Sequence, residues 1–182
     1  MQRIVTVFIL AAALALAGKP PQASLASAYD NDVSSAEKEI VSLAEAMPGD
    51  KYNFAPSGGA FTGVRTFGQQ MRHIAAVNYE VAAAILGEKN PVDMGKSENG
   101  PDSLDSRDAI VKFLKDSFAY AHRALRTITE KNVLGEVKSP FGDGNAARAS
   151  LATIFAWHSF DHYGQAVVYA RMNGVIPPAS RR

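Results

Sequence analysis

The sequence predicts an all-α protein: a four-helix bundle that follows an N-terminal export signal. Three observations carry this. Four segments repeat apolar residues at helical spacing, breaks rich in Pro and Gly separate them, and no stretch alternates apolar and polar residues as a strand would. The length of 182 residues, 47% of them hydrophobic, suits one domain with one core.

The chain opens with Arg3 and an apolar run from Ile4 to Ala17, the proportions of a signal peptide and short for a membrane span. Two small-residue cleavage sites follow, Ala15-Leu16-Ala17 and Ala26-Ser27-Ala28. The second stands further past the apolar core, just before charged, helix-forming sequence. Cleavage is therefore expected after Ala28, with Ala17 as the alternative. Pro20 and Pro21 argue against an uncleaved anchor. This divides the chain into a signal peptide, 1–28, and a bundle domain, 29–182. The processed protein is expected in the periplasm or outside the cell, with no stable membrane span. With no Cys, it has neither a lipid-modified cysteine nor a disulfide.

The first helix is predicted over Ser34–Met47. Ser34 and Glu37 make a capping-box pattern, Ile40, Leu43 and Met47 form the stripe, and Pro48-Gly49 ends it. A loop with Tyr52, Phe54 and Pro56 follows. The second helix, Thr66–Leu86, repeats the capping pattern with Thr66 and Gln69 and stops at Gly87. Its stripe is Phe67, Met71, Ile74, Val81 and Ile85, with His73 on the flank. After a polar loop at 88–102 the third helix runs over Leu104–Lys131. Ile110, Leu114, Ala121, Leu125 and Ile128 make its stripe, and His122 stands at the edge. Pro140 and Gly142 mark another break before a fourth helix over Asn145–Met172.

That last helix holds the chemistry. His158 and His162 are four residues apart, so they lie one turn apart on the same side. They share the face of Leu151, Ile154, Phe155, Gln165, Ala166 and Tyr169, and so point inward. Two imidazoles so placed can hold one divalent ion; a core histidine can equally bond a neighbouring carbonyl or carboxylate. The chain has four His, which leaves His73 and His122 as candidates for a third ligand. Spacing alone does not choose between them.

The runs GQQMRHIAAVNY and HSFDHYGQAVVYARMNGVIPP, with the Met47–Pro56 stretch MPGDKYNFAP, resemble the DinB-like superfamily of metal-binding four-helix bundles. The resemblance extends from about Ser34 to Ser180. It implies an up-down-down-up bundle whose long crossover could use the loops at 48–65 and 88–102. It also implies His73, His158 and His162 as the metal ligands. His122 matches no family ligand and reads as a helix-edge residue.

Three neutral ligands would leave a divalent ion its full charge and open positions, able to acidify water or polarise a carbonyl or thiol. Imidazole ligands suit zinc, nickel, copper or iron(II) and do not select one; zinc or nickel is expected, with iron as a further option. Affinity is expected to fall as pH drops through about 6.5, where free imidazole protonates. Asp161 could orient an imidazole from outside the ligand set, Glu80 could act as a base two turns from His73, and Gln165 could bond within the site. Trp157 and Tyr169 read as core or pocket wall. The family includes metal-dependent thiol transferases, isomerases and proposed hydrolases. Their thiol cofactors belong to a reducing cytoplasm, at odds with an export signal. Two readings follow: a metal-dependent hydrolase or thiol/small-molecule transferase, or a non-catalytic protein binding a metal or small ligand. A net charge of +1 and the lack of a basic patch with interleaved aromatics give nucleic-acid binding no support. The partner is an unidentified small molecule, and the chain could also pair as a homodimer.

Overall fold

The computed structural model describes residues 23–95 and 97–181. Four helices make the body: α1 (Leu25–Ala46), α2 (Phe67–Leu86), α3 (Arg107–Leu125) and α4 (Arg148–Met172). A small hairpin, β1 (Glu136–Lys138) and β2 (Asn145–Ala147), precedes α4.

Helix directions can be read from side-chain pairs. Gly68 faces Ile110, Asn78 donates to Ser117 Oγ at 3.2 Å, and Tyr120 donates to Glu88 at 3.2 Å, so α2 and α3 run parallel. Asp30 and Glu37 reach His122 while Glu45 reaches Lys115, so α1 opposes α3. Gln70 meets Gln165 and His73 meets His158, so α4 opposes α2. The bundle is up-down-down-up. Both α2 and α1 pack on α3 and α4, which puts α1 diagonal to α2. Parallel neighbours need a connection that returns the length of a helix, and the chain between α2 and α3 supplies it.

The predicted stripes form the core. Ile40, Leu43, Phe67, Met71, Ile74, Leu114, Phe118, Leu125, Leu151 and Phe155 are all buried. Thr66 and Gln69 cap α2 reciprocally, and Gly87 closes it at φ 68°, a conformation side-chain-bearing residues avoid. The loop after α1 is pinned by its aromatics. Tyr52 donates to Ala44 O at 2.6 Å and sets its ring against Phe67; Phe54 packs edge-on to Tyr169.

Several boundaries differ from expectation. Helix α1 begins at Leu25, not Ser34, because Ser24 and Ser27 form the capping box there. Ser34, the expected cap, therefore lies inside the helix, and its neighbour Ser35 bonds back to Asn31 O. The expected cleavage point after Ala28 thus falls in the first turn of α1, whereas the site at Ala17 and the whole apolar run lie outside the described residues. Helix α3 starts at Arg107, after the Ser106 cap, and ends at Leu125. β-branched Thr127, Ile128 and Thr129 follow, and the Asn132 side chain bonds Thr129 N–H and Thr127 O in place of helix. Residues 145–147, expected as helix, are strand β2, paired Val137 to Ala146 with β1. Strands of three residues are too short to show alternation in sequence. Among the described residues no helix is long and apolar enough to cross a membrane.

Candidate metal centre

Helix α2 carries His73 and helix α4 carries His158 and His162, and antiparallel packing brings the three to one level of the bundle. Their rings meet edge to face, with centroids 4.6–5.0 Å apart. His158 Nε2 lies 3.2 Å from His73 Nε2 and 3.2 Å from His162 Nε2. One nitrogen from each ring lies within 4.8 Å of the other two. Nitrogens held about 2.0–2.1 Å from one tetrahedral ion stand roughly 3.3 Å apart, so the two separations from His158 Nε2 match those of ligands to a shared ion.

The outer nitrogens decide which lone pairs face inward. His73 Nδ1–H donates to the Glu98 carbonyl at 2.5 Å. His162 Nδ1–H donates to Gln70 Oε1 at 2.5 Å. A carbonyl or amide oxygen only accepts, so both protons sit on Nδ1 and both Nε2 lone pairs are free. Buried His158 Nδ1 has no partner among the described residues. His73 and His162 are 8% and 6% exposed; His158 is half-buried at the edge of a cavity. Burial, and then the neighbouring imidazoles, push His158 down to about 3. Burial and then His73 push His162 down to about 4, and burial lowers His73 as well. All three rings are therefore neutral at pH 7, the form that ligates. The expected loss of affinity near pH 6.5 must move lower in the folded protein, because the site resists protonation well below the value of free imidazole. The donor set fits a divalent transition ion, and these three histidines could hold one.

Beside the histidines opens a cavity of about 480 Å³, lined by His73 and His158 together with Val77, Ile154, Trp157, Pro140, Phe141, Glu80 and Glu98. Pro140 and Phe141 come from the hairpin tip. Glu80 is half-buried in this wall, and burial, with the nearby Glu98 charge, raises its pKa. Trp157, 57% exposed, packs its ring edge-on to His158.

Other expected residues land elsewhere. Asp161 is exposed and touches no imidazole; its Oδ2 accepts from Gln165 Nε2 at 3.1 Å. Gln165 is exposed rather than inward, and its Oε1 accepts from Gln70 Nε2 at 3.0 Å. Each sits at the rim because α4 is apolar on more than one side, with Trp157, Phe160, Val168 and Met172 all exposed. Tyr169 is core. His122 lies apart from the cluster, with Nδ1 at 2.6 Å from Asp30 and Nε2 at 3.1 Å from Glu37. It clamps α1 to α3, a larger part than that of an edge residue.

Two partners of the site were not foreseen. Gln70 is three residues before His73 on the same helix face, and a buried polar residue on an apolar stripe was the available signal. The Glu98 carbonyl is backbone in the crossover loop and leaves no trace in side-chain pattern. Gly100 lets that loop lie close: a Cβ there would stand 3.3 Å from the Phe113 ring, at φ 70°. Arg72 donates to Pro101 O at 2.6 Å and Arg65 to Asn99 at 2.6 Å, which fixes the loop on α2.

Known structures share this architecture. A conserved protein from Enterococcus faecalis aligns with TM-score 0.66 and 13% identity, over 83% of this chain and 98% of its own. A DinB-like protein from Bacillus subtilis aligns at 0.61 and 16%, covering 85% and 99%. One from Bacillus cereus aligns at 0.56 and 18%, covering 81% and 89%. At such identities the likeness concerns the fold. Among curated proteins none matches the chain. The sequence profile of the DinB superfamily matches residues 33–166, which takes in the three histidines, the whole of α2 and α3 and most of α1 and α4, and the chain belongs to that superfamily.

Proposed function

We propose that this is an exported metal-dependent enzyme acting on a small molecule held in the cavity beside His73, His158 and His162. The convergence of three Nε2 atoms, two of them from histidines that line that cavity, His73 and His158, carries the reading. The histidines would hold zinc or nickel, with iron as the alternative. When bound, such an ion supplies Lewis acidity toward a carbonyl, thiol or water.

The chain's own residues supply the remainder. Val77, Ile154, Phe141 and Trp157 give the substrate an apolar seat. Glu80 stands in the same wall, and its raised pKa brings it nearer to neutral pH, where a carboxylate exchanges protons effectively. It would take a proton from the attacking group and return it to the leaving group. Hydrolysis or transfer between small molecules suits this set. The export reading rests on the apolar run before residue 18 and favours hydrolysis over transfer to a cytoplasmic thiol.

The test has two stages. Metal content of the purified protein is measured first. Protein loaded with zinc or nickel is then screened against esters, amides and thiol adducts, with Trp157, the single tryptophan, reporting ligand entry by fluorescence. Turnover that needs the metal supports the proposal. A ligand that quenches Trp157 without turnover points instead to a binding protein. Protein that takes up no metal rejects the enzyme.

A further inference from the structure

Gln70 is nearly fully buried, at 2% exposure, and both ends of its amide are engaged. It sits in a directed row: His162 Nδ1–H to Gln70 Oε1 (2.5 Å), Gln70 Nε2 to Gln165 Oε1 (3.0 Å), and Gln165 Nε2 to Asp161 Oδ2 (3.1 Å). An amide can present either its oxygen or its nitrogen to a neighbour, and a neutral imidazole can carry its proton on either nitrogen. Nothing in Gln70 or Gln165 alone picks a direction. Asp161 does, because an ionised carboxylate has no proton to give. It demands the NH2 of Gln165. That turns the Gln165 oxygen toward Gln70, which must answer with its own NH2 and aim its oxygen at His162. His162 must then hold its proton on Nδ1, and its Nε2 lone pair faces His158 and His73.

We propose that Gln70 is a positioning residue for His162, and that the exposed Asp161, acting through Gln165 and Gln70, sets the tautomer in which His162 can bind a metal. The proposal deepens the metal-site reading and rests on it for its effect on affinity. The carboxylate does orient an imidazole, but across two amides and from the surface. His73 needs no such device, since a backbone carbonyl cannot turn over. The two helices thus fix their ligands by different means: α2 by the crossover loop, α4 by a side-chain row that can be reversed.

The test reads the tautomer directly, by nitrogen NMR of the imidazole rings in chelator-treated protein, and zinc affinity separately by titration. Wild type should show His162 protonated on Nδ1. Gln70→Leu removes the acceptor; protonated Nε2 should become populated, and zinc affinity should fall roughly 10–100-fold. Gln70→Glu keeps an acceptor-only oxygen and should retain the wild-type tautomer. Asp161→Lys replaces an acceptor with a donor. It should turn both amides over and move the proton to Nε2, and adding Gln165→Glu should restore Nδ1–H. Because the tautomer is read without metal, repulsion between the new lysine and the ion does not enter. Asp161 and Gln165 are exposed, so their variants decide the matter even if Gln70→Leu folds poorly. Retention of Nδ1–H in Asp161→Lys overturns the proposal, and its retention in a folded Gln70→Leu does so independently. Failure of wild type to bind zinc would instead refute the metal-site reading and leave the tautomer result to stand or fall by itself.

Discussion

Acid should weaken the metal-free fold through the histidine cluster. His158 and His162 are held at about 3 and about 4 by burial and by their neighbours, against about 6.5 for a ring in the unfolded chain. The folded values are depressed, so the unfolded state binds protons first as pH falls. The stabilising contribution is therefore whole above pH 6.5 and drains away as pH drops toward 4. At about pH 5 an unfolded ring is almost fully protonated while the folded His162 is mostly neutral, a difference of about 2 kcal/mol per ring. Repulsion among the rings enters each value, so the two together contribute less than twice that. For a chain of this size, 2 kcal/mol corresponds to a melting shift of about 4–8 °C. The assay is thermal unfolding of chelator-treated protein at about pH 7.5 and about pH 5, for wild type and for the His158→Gln, His162→Gln double variant. Wild type should lose several degrees more than the variant on acidification. Equal losses would show that these rings titrate alike in both states, and the reasoning from burial would fail.

Further outcomes follow from other parts of the structure. His122→Ala removes the clamp on Asp30 and Glu37 and should cost about 1–3 kcal/mol by urea unfolding, with metal stoichiometry unchanged. Glu80→Gln should keep the metal, seen by elemental analysis, while any substrate found loses roughly 10²–10⁴ in kcat/KM. If Glu80→Gln turned over like wild type, Glu80 would be cavity wall only. N-terminal sequencing of exported protein should find a start near Tyr29, and recovery of Met1 in the membrane fraction would reject cleavage.

Much of this was readable beforehand because helices impose a period. The stripes Phe67–Met71–Ile74 and Ile110–Leu114 are spaced at one-turn intervals, and such spacing survives in sequence without any knowledge of partners. The histidine pair on α4 was legible for the same reason. What joined His73 to it was family resemblance, since periodicity fixes a face and not which helices share a level. The start of α1 was obscured because Ser24 and Ser27 sit among small residues that also suit a processing site. Trp157 and Phe160 show the limit of the pattern on α4. A helix apolar on several sides has little amphipathic contrast, so the exposed side and the positions of Asp161 and Gln165 could not be read from it. The cavity's outer wall, Pro140 and Phe141, came from a hairpin whose strands are three residues each.

The central claim is that His73, His158 and His162 form one metal site. Zinc titration of chelator-treated protein, read by calorimetry, tests it most directly when run on wild type and on four single alanine variants. One ion per chain should bind wild type and His122→Ala with equal affinity, and His73→Ala, His158→Ala and His162→Ala should each lose that binding. Retention of tight binding by His73→Ala, or its loss in a folded His122→Ala, would contradict the account.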